Sequence, residues 1–338
     1  MPFFAKKCIM GLSLFQELSS LIVLWWVLGI AAALLCAVLA VLYICFHMAF
    51  YASRKPPNNP VEFPIPEGEI YEPYREQMVA WMKEVRAMPR EEFSITSFAG
   101  LTLRGRFYRC SEAAPIELMF PGYRGAAERD LCGGVQRCFA LGHSALIVDQ
   151  RACGRSDGHV ISFGVNERRD CLAWIDHMVT HFGPDVKIIL TGISMGAATV
   201  MLASGEKLPK NVVGILADCG YSSAPEIIKK VIVDMKLPRN AAYPFVRAAG
   251  RLFGGFDIEE ARPVEAVKSC RLPIIFAHGD ADAFVPCLMS RDCFDACSSV
   301  KKLVITPGAG HGLCYPADPE GYLASLKAFW TEAGIYES

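Results

Sequence analysis

The longest apolar run in the chain lies near its start. No Asp, Glu, Lys or Arg occurs among the thirty residues from Leu21 to Phe50, and about 20 apolar residues suffice to cross the hydrocarbon core of a bilayer. The pattern predicts a transmembrane anchor over residues 21–50, after an N-terminal tail of residues 1–20. A secretory signal peptide and a buried core helix are the alternatives. The first has a shorter apolar region that ends at a cleavage site, and the second is amphipathic.

Proline and polar residues follow the apolar run and predict an extended linker over residues 51–70. An amphipathic helix comes next and ends near Met88-Pro89. Its apolar positions are Tyr74, Met78, Trp81, Met82 and Val85. A stripe of this kind indicates packing onto a core rather than a cofactor site.

Short apolar runs then alternate with helical patterns as far as the C-terminus. Two strands joined at Ala99-Gly100 come first, and a third runs into the loop at Pro121. Helices are predicted around residues 127–141, 166–182 and 197–207, and the later strands are SALIVD, KIILTG, VVGILAD, LPIIFAHGD and KKLVITPGAGH. The alternation predicts an α/β domain over residues 71–338, with a mostly parallel central sheet and helices on both faces.

Candidate chemistry falls at the carboxyl ends of these strands, where ligands of such sheets bind. In Gly192-Ile193-Ser194-Met195-Gly196 a β-branched run turns directly into small helix-forming residues, and the two glycines allow a tight turn that presents the serine. A serine that only caps a helix is the alternative. Asp280 and Asp282 follow one later strand and His311 follows the last, so the chain order is Ser, Asp, His.

Composition excludes some partners and leaves others open. The chain has 34 basic and 35 acidic residues, a net charge of -1, and therefore lacks the basic excess of nucleic-acid-binding proteins. Of its 14 cysteines, 11 follow the apolar run without a regular framework, which favours reduced thiols.

The sequence predicts a single-pass membrane protein and leaves the side of the large domain open. Lys6 and Lys7 before the span balance Arg54 and Lys55 after it, so the charge rule gives no orientation. Reduced thiols favour the cytosol, whereas a short tail before a large domain favours export. Nothing in the chain indicates an oligomeric state.

Five motifs in order over residues 90–332 resemble the α/β-hydrolase superfamily, and more narrowly its serine esterase, lipase and aminopeptidase-like members with a helical lid. They are FPGYRG at the oxyanion loop, VDQRACGRSDG after the fourth strand, GISMG at the nucleophile elbow, HGDADAFVP at the acid turn and GAGHG at the histidine loop. The sequence departs from the family where Pro121 replaces the usual His and where Ala152 and Cys153 replace the usual Gly and His.

The resemblance implies a role for each matching residue. Ser194 would be the nucleophile and His311 the base that activates it. Asp282 would orient the imidazole, because the family's H-G-x-x-D spacing selects it over Asp280, whose alternative role is to cap a turn. The backbone N–H groups of Tyr123 and Met195 would form the oxyanion hole.

About fifty residues around 222–270, here called the insert, are helical and stand where the family has its lid. A connection this long is usually functional. The side chains available to line an acyl pocket are Met235, Leu237, Tyr243, Phe245 and Phe253. The alternative, which the pattern favours for most of these side chains, is that they only pack the insert onto the sheet.

Together these features predict a membrane-anchored serine hydrolase that cleaves ester or related acyl bonds through an acyl-serine intermediate. The expected substrate is a small-molecule or lipid-like acyl compound, and no cofactor or metal is expected: His177 and His181 lie four apart but lack a third ligand. A thioesterase, a lipase and an aminopeptidase-type amidase are alternatives with the same triad. An inactive membrane-tethered binding protein is the alternative of another class.

Overall fold

The central sheet holds the fold together. The computed structural model describes residues 2–53, 63–66 and 68–336, with backbone only for residues 2–20, so the predicted linker lies partly outside the described residues. Within them, eight strands form one sheet in the order β1-β2-β4-β3-β5-β6-β7-β8. The strands are β1 (Glu91–Thr96), β2 (Thr102–Tyr108), β3 (Ile116–Phe120), β4 (Ser144–Asp149), β5 (Ile188–Ile193), β6 (Val212–Asp218), β7 (Ile274–Gly279) and β8 (Lys301–Thr306).

The sheet is mostly parallel, as the alternating pattern predicts. Strand β2 runs antiparallel to β1 and to β4, and all other neighbours are parallel. Along β4, Leu146 and Val148 pack into one core cluster while Ala145 and Ile147 pack into another. Side chains alternate across a strand, so both faces of the sheet are covered.

Helices cover the two faces of the sheet. The α-helices are α1 (Pro2–Ala49), α2 (Arg75–Ala87), α3 (Ala127–Ala140), α4 (Glu167–Phe182), α5 (Met195–Ala203), α6 (Ala224–Asp234), α7 (Arg239–Ala249), α8 (Pro263–Ala266), α9 (Leu288–Ala296), α10 (Cys314–Ala317) and α11 (Pro319–Glu332). Side chains of α4, α5 and α9 pack on one face, and side chains of α2, α3 and α11 pack on the other. Residues Glu69–Tyr74, Ile258–Glu260 and Val267–Ser269 form 3₁₀ turns, and Gly250–Gly254 form a π turn.

A buried charged residue lies in the middle of the sheet. Glu117 of β3 pairs with Arg137 and accepts a hydrogen bond from Thr191 Oγ1 at 2.8 Å. His143 Nδ1 lies 2.8 Å from the same carboxylate, and His143 Nε2 lies 2.7 Å from the Tyr336 hydroxyl. Burial alone would raise the pKa of Glu117, but Arg137 and these hydrogen bonds outweigh it and hold the pKa at about 2. The carboxylate is therefore charged and links β3 to α3 and β5.

Helix α1 has two parts with different surroundings. Residues Leu21–Ala49 have a mean hydropathy of 2.8 and are long and apolar enough to cross a membrane, by length and composition alone. Every residue from 21 to 41 is exposed, whereas Leu42, Phe46 and Phe50 are buried against the α/β domain. The exposed part is roughly 30 Å long, which matches the hydrocarbon core of a bilayer. The final turns belong to the core of the domain.

The insert packs on this end of α1. Side chains of α7 share a core cluster with the final turns of α1. Phe253, in the π turn, lies 5.7 Å from both the Tyr43 and Phe46 rings, and Phe256 lies 5.1 Å from the Phe50 ring. The insert therefore covers an apolar helix end.

Candidate active site

Ser194 occupies a sharp turn between β5 and α5. Its φ and ψ are 56° and -116°, a conformation that L side chains rarely adopt. A Cβ at Gly192 would lie 2.1 Å from the backbone of Gly196, and one at Gly196 would lie 2.0 Å from Phe120 O. Both glycines are thus needed for the tight turn predicted from sequence. Helix α5 begins at Met195, two residues earlier than the predicted helix, because the turn leads straight into it.

Three predicted side chains meet at this turn. His311, in the loop after β8, places Nε2 2.9 Å from Ser194 Oγ and Nδ1 2.7 Å from Asp282 Oδ2. Asp282 follows β7, so all three come from loops at the carboxyl ends of parallel strands. Asp280 is exposed, and its carboxylate accepts the Gly308 N–H at 2.6 Å, the turn-capping arrangement. The geometry therefore selects Asp282 over Asp280 as the partner of His311.

The Asp282 carboxylate is held by donors on every side. Its Oδ1 accepts the backbone N–H groups of Phe284 at 2.9 Å and Val285 at 2.8 Å. His278 Nε2 lies 3.2 Å from Oδ2. Burial would raise the pKa of Asp282, but the hydrogen bonds from His278, His311 and the Val285 N–H hold that pKa well below its usual range. The carboxylate stays ionised, which favours a proton on His311 Nδ1 and leaves Nε2 to accept from Ser194.

His278 makes contacts beside the triad that the sequence did not predict. The residue belongs to the HGDADAFVP motif, where it reads only as a strand end. In the structure it is fully buried and its Nδ1 lies 2.6 Å from Ser290 Oγ. His278 Nε2 lies 2.9 Å from Val285 O and 3.2 Å from Asp282 Oδ2, so the contacts of both ring nitrogens hold the imidazole beside the carboxylate. No sequence motif indicates this contact, because Ser290 lies on α9, twelve residues further along the chain.

The oxyanion loop, Pro121–Gly125, lies beside the serine. A Cβ at Gly122 would lie 3.5 Å from Ser194 Cβ, so the loop approaches the turn closely. The Gly122 N–H donates to Asp130 Oδ2 at 3.1 Å, and Gln150 Nε2 donates to Pro121 O at 2.7 Å.

The predicted oxyanion donors fit this arrangement. Within the described part of the chain, the backbone N–H groups of Tyr123 and Met195 donate to no other residue. Met195 directly follows the serine and is the first residue of α5, where N–H groups lack partners within the helix. Both N–H groups are therefore free of partners among the described residues, and their role as oxyanion donors stays a prediction from the resemblance.

A cavity of about 230 Å³ opens beside Ser194 and His311. One wall comes from residues 63–66 and 68–87, which precede β1 and are here called the cover segment. That wall consists of Pro66, Tyr71, Met78 and Trp81. The Tyr71 hydroxyl donates to His311 O at 3.0 Å, and burial raises the pKa of Tyr71 to about 12, so the hydroxyl remains a donor. Met78 and Trp81, predicted as core residues, thus also face the cavity.

The insert contributes none of the described residues that line this cavity. Met235, Leu237, Phe245 and Phe253 are 37 to 46% exposed. Tyr243 is buried with the final turns of α1. None of the five side chains that were available for an acyl pocket therefore lines this cavity. Packing is the role that the sequence predicts for most of them, and Tyr243 does pack, but against the end of α1 rather than onto the sheet.

Cys219 lies beside the triad, but its thiol stays protonated and is therefore unreactive. Its Sγ is within 4.8 Å of ligand atoms of Asp282 and His311. Burial raises the pKa of the Cys219 thiol well above its usual range. A protonated thiol is a poor nucleophile and a poor metal ligand, so the serine is the better candidate nucleophile.

Comparisons with known proteins identify the family and similar folds. The model of the family described as "Alpha/beta hydrolase family" matches residues 131–325. The uncharacterized protein YqkD of Bacillus subtilis is 22% identical over 313 residues, which cover 88% of this chain and 94% of YqkD.

Two solved structures are similar in fold. The esterase Pf2001 of Pyrococcus furiosus has a TM-score of 0.60 at 19% identity, over 83% of this chain and 99% of its own. Est1E of Butyrivibrio proteoclasticus, solved with ferulic acid bound, has a TM-score of 0.57 at 22% identity, over 72% of this chain and 100% of its own. At these identities the likeness concerns the fold. The family model, however, covers more than half of the chain, and the protein therefore belongs to the alpha/beta hydrolase family.

Proposed function

We propose that this protein is a serine hydrolase that cleaves carboxylic esters or related acyl compounds through an acyl-serine intermediate. The observation that carries the proposal is the hydrogen-bonded series from Asp282 to His311 to Ser194, with contacts of 2.7 and 2.9 Å. A nucleophile, a base in contact with it and a third group that orients the base are the parts that activate a serine.

The chemistry follows from these contacts. As Ser194 Oγ attacks the substrate carbonyl carbon, His311 Nε2 takes the hydroxyl proton. The carbonyl oxygen becomes an oxyanion and accepts the N–H groups of Tyr123 and Met195. Collapse breaks the bond to the leaving alcohol, which receives the proton from His311 and leaves an acyl-serine. Water then attacks the acyl-serine with His311 as base, and this step releases a carboxylic acid and restores Ser194.

The cavity favours small acyl groups. Its volume of about 230 Å³ is below the roughly 300 Å³ at which sites for drug-sized ligands begin. Its apolar lining includes Met78, Trp81, Met119, Ile193 and Tyr315. Esters of short or compact acids fit this space better than long-chain lipids do. Thioesters and amides of the same acids are alternatives on the same triad.

The chain is anchored in a membrane by the exposed part of α1. A signal sequence near the N-terminus has a similar length and apolar composition. However, cleavage after the apolar run would remove Leu42, Phe46 and Phe50, which are buried in the domain. An anchor that is retained keeps this part of the core intact. Carbonate extraction of membranes, followed by mass determination of the retained protein, tests this point: an intact chain supports it and a chain shortened beyond residue 41 refutes it.

Active-site labelling tests the reaction. The full chain in detergent is treated with a fluorophosphonate probe and then assayed on p-nitrophenyl acetate, butyrate, octanoate and palmitate. Ser194→Ala should abolish labelling and lower turnover by about a thousandfold or more. Ser298→Ala, an exposed serine that donates to Lys268 O, should retain both. If the folded wild-type protein neither labels nor hydrolyses any ester, thioester or amide, the hydrolase proposal fails and an inactive binding protein of the family takes its place.

A further inference from the structure

The end of α1 is bonded directly to the oxyanion loop. The last carbonyl groups of a helix lack partners within it and need donors from elsewhere. The Tyr123 hydroxyl donates to Ala49 O at 2.8 Å. The Arg124 Nη2 lies within hydrogen-bond distance of three further carbonyl oxygens, those of His47 at 3.1 Å, Met48 at 3.0 Å and Tyr51 at 2.8 Å. Two consecutive residues of the loop therefore cap the helix.

These contacts hold the loop in a conformation that it would not adopt by itself. Arg124 has a φ of 51°, which is unfavourable for a side chain of this size. Its guanidinium lies 5.0 Å from the centre of the Tyr123 ring, so both side chains point toward the helix end. A cation at the C-terminus of a helix is also favoured by the helix dipole. The backbone of Tyr123 is thus fixed by its own side chain and by that of its neighbour.

The helix end is itself fixed to the rest of the domain. The Ile161 N–H donates to Phe50 O at 2.8 Å, and the Ala52 N–H donates to His159 O at 2.9 Å. The Phe163 ring lies between Phe50 and Tyr123, at 5.9 and 5.1 Å from their ring centres. Because α1 is anchored at several points, it can serve as a rigid support for the loop.

We infer that the last turn of α1 is a positioning element of the catalytic centre, acting through the Arg124 side chain and the Tyr123 hydroxyl. The catalytic part of this inference rests on the proposed function, since the group that is positioned is the Tyr123 N–H, which would donate to the oxyanion. Loss of one oxyanion donor lowers kcat by about 10²–10³, and a displacement of about 1 Å lowers a rate by about 10². A loosened loop should therefore lower kcat and leave KM nearly unchanged, because most of the cavity lining lies outside this loop.

The test compares Tyr123→Phe, Arg124→Gln and Arg124→Lys in the full chain. Tyr123→Phe keeps the backbone N–H and the ring and removes only the hydroxyl. The matched control is Arg90→Gln, because Arg90 is exposed and its Nη1 likewise donates to a carbonyl at a helix end, Arg86 O, at 3.1 Å. The readouts are kcat and KM for p-nitrophenyl butyrate, and hydrogen exchange of the Gly122–Gly125 amides.

We expect kcat to fall about tenfold in Arg124→Gln, and less in Tyr123→Phe, with KM within about twofold of wild type. Arg124→Lys should recover part of the loss, since an ammonium group can still reach a carbonyl. Loop exchange should rise about tenfold in Arg124→Gln, and Arg90→Gln should change neither readout.

Unchanged kcat together with unchanged loop exchange overturns the inference. A fall in kcat that disappears at low temperature, where the variant is fully folded, also overturns it, because the effect is then one of stability alone. If the wild-type protein proves inactive, the proposed hydrolase function fails. Hydrogen exchange of the Gly122–Gly125 amides then tests by itself whether α1 positions the loop. A raised exchange rate in Arg124→Gln then supports the positioning of the loop by α1, and an unchanged rate refutes it.

Discussion

The cover segment and the insert both lie outside the sheet, yet only the cover segment borders the cavity beside Ser194. It provides Tyr71, Met78 and Trp81 to the cavity wall. The insert provides Tyr243 and other apolar side chains to the cluster that contains the end of α1. One segment therefore lines the cavity, while the other packs on the helix end that is hydrogen-bonded to the oxyanion loop.

The positions of the two segments explain this division. An apolar helix that ends inside the domain needs a cover, and the amphipathic helix α7 buries Tyr243, Val246 and Ala249, which lie on one face three residues apart, against it. The cover segment begins after that helix end and leads to β1. On this route the turn Glu69–Tyr74 reaches the loop of His311. The place where α1 ends in the domain therefore decides what each neighbouring segment covers.

Removing a fully buried aromatic side chain between α1 and the insert should have the greatest effect. Phe50 is fully buried and makes edge contacts with Phe163 and Phe256. We expect Phe50→Ala to lower the free energy of unfolding by about 3–5 kcal/mol. Ile44→Ala, on the exposed side of the same helix at 56% exposure, should change it by less than about 0.5 kcal/mol.

Urea unfolding of the full chain in detergent, followed by the fluorescence of the buried Trp174 and Trp330, measures both variants. A loss below about 1 kcal/mol for Phe50→Ala would mean that the domain does not depend on the end of α1, and the comparison would lose its basis.

A buried ion pair in the sheet provides a contrast with this apolar contact. Glu117 has a pKa of about 2 in the folded protein against an ordinary value of 4.5, so its charge contributes about 3 kcal/mol of stability. A lowered folded-state pKa makes this contribution present above about pH 4.5 and lost as the pH falls toward about 2. Glu117→Gln should therefore destabilise the protein by about 3 kcal/mol at pH 7 and by progressively less below pH 4.5.

The pH dependence separates the two kinds of contact. The loss in Phe50→Ala should be the same at pH 7 and pH 4, because it involves no titrating group. Unfolding of both variants across this range checks the difference. A loss in Glu117→Gln that stays constant down to pH 3 would show that the carboxylate is not the stabilising form.

Local patterns in the sequence were sufficient for most of the α/β domain. Strand β4 coincides with the predicted SALIVD, and α3 ends one residue before its predicted end. The sharp turn at Ser194 follows from the need for glycine on both sides, which is a local requirement. The order of the motifs along parallel strands predicted that Ser194 and His311 would meet with an aspartate, and the family's H-G-x-x-D spacing, not that order, selected Asp282 over Asp280.

Contacts between distant segments were not predictable in the same way. Leu42 and Phe46 are no more apolar than Leu34 or Val38, so composition does not separate the residues of α1 that pack against the domain from those that are exposed. Helical spacing identified the face of α2 that is covered, but not that Trp81 also borders a cavity. Arg124 is an ordinary loop residue in sequence, and its carbonyl partners lie more than 70 residues away.

Enlarging the cavity should change substrate choice more than stability. Trp81 lines the cavity and stacks on Tyr315 with ring centres 5.4 Å apart. We expect Trp81→Ala to raise kcat/KM for p-nitrophenyl octanoate relative to acetate by about tenfold, since a methylene accommodated in a pocket changes the ratio by at least this factor. Phe245→Ala, on the exposed face of α7 and 40% exposed, should leave the ratio unchanged.

Measured kcat/KM values for both esters decide between the segments. The opposite result, a shift in chain-length preference with Phe245→Ala and none with Trp81→Ala, would return the role of acyl-pocket wall to the insert.

The smallest effect is expected at the outer edge of the contact between the insert and α1. Phe253 is 37% exposed and lies 5.7 Å from the rings of Tyr43 and Phe46. Because aromatic pairs contribute about 0.5–1.5 kcal/mol and part of this ring is exposed, Phe253→Ala should lower stability by about 1 kcal/mol. Leu252→Ala, at 57% exposure, is the matched control and should change it by less than about 0.5 kcal/mol. Urea unfolding gives both values, and the octanoate-to-acetate ratio should stay at the wild-type value in each variant. A changed ratio in Phe253→Ala would show that the insert reaches the substrate after all, and the separation of the two segments would have to be given up.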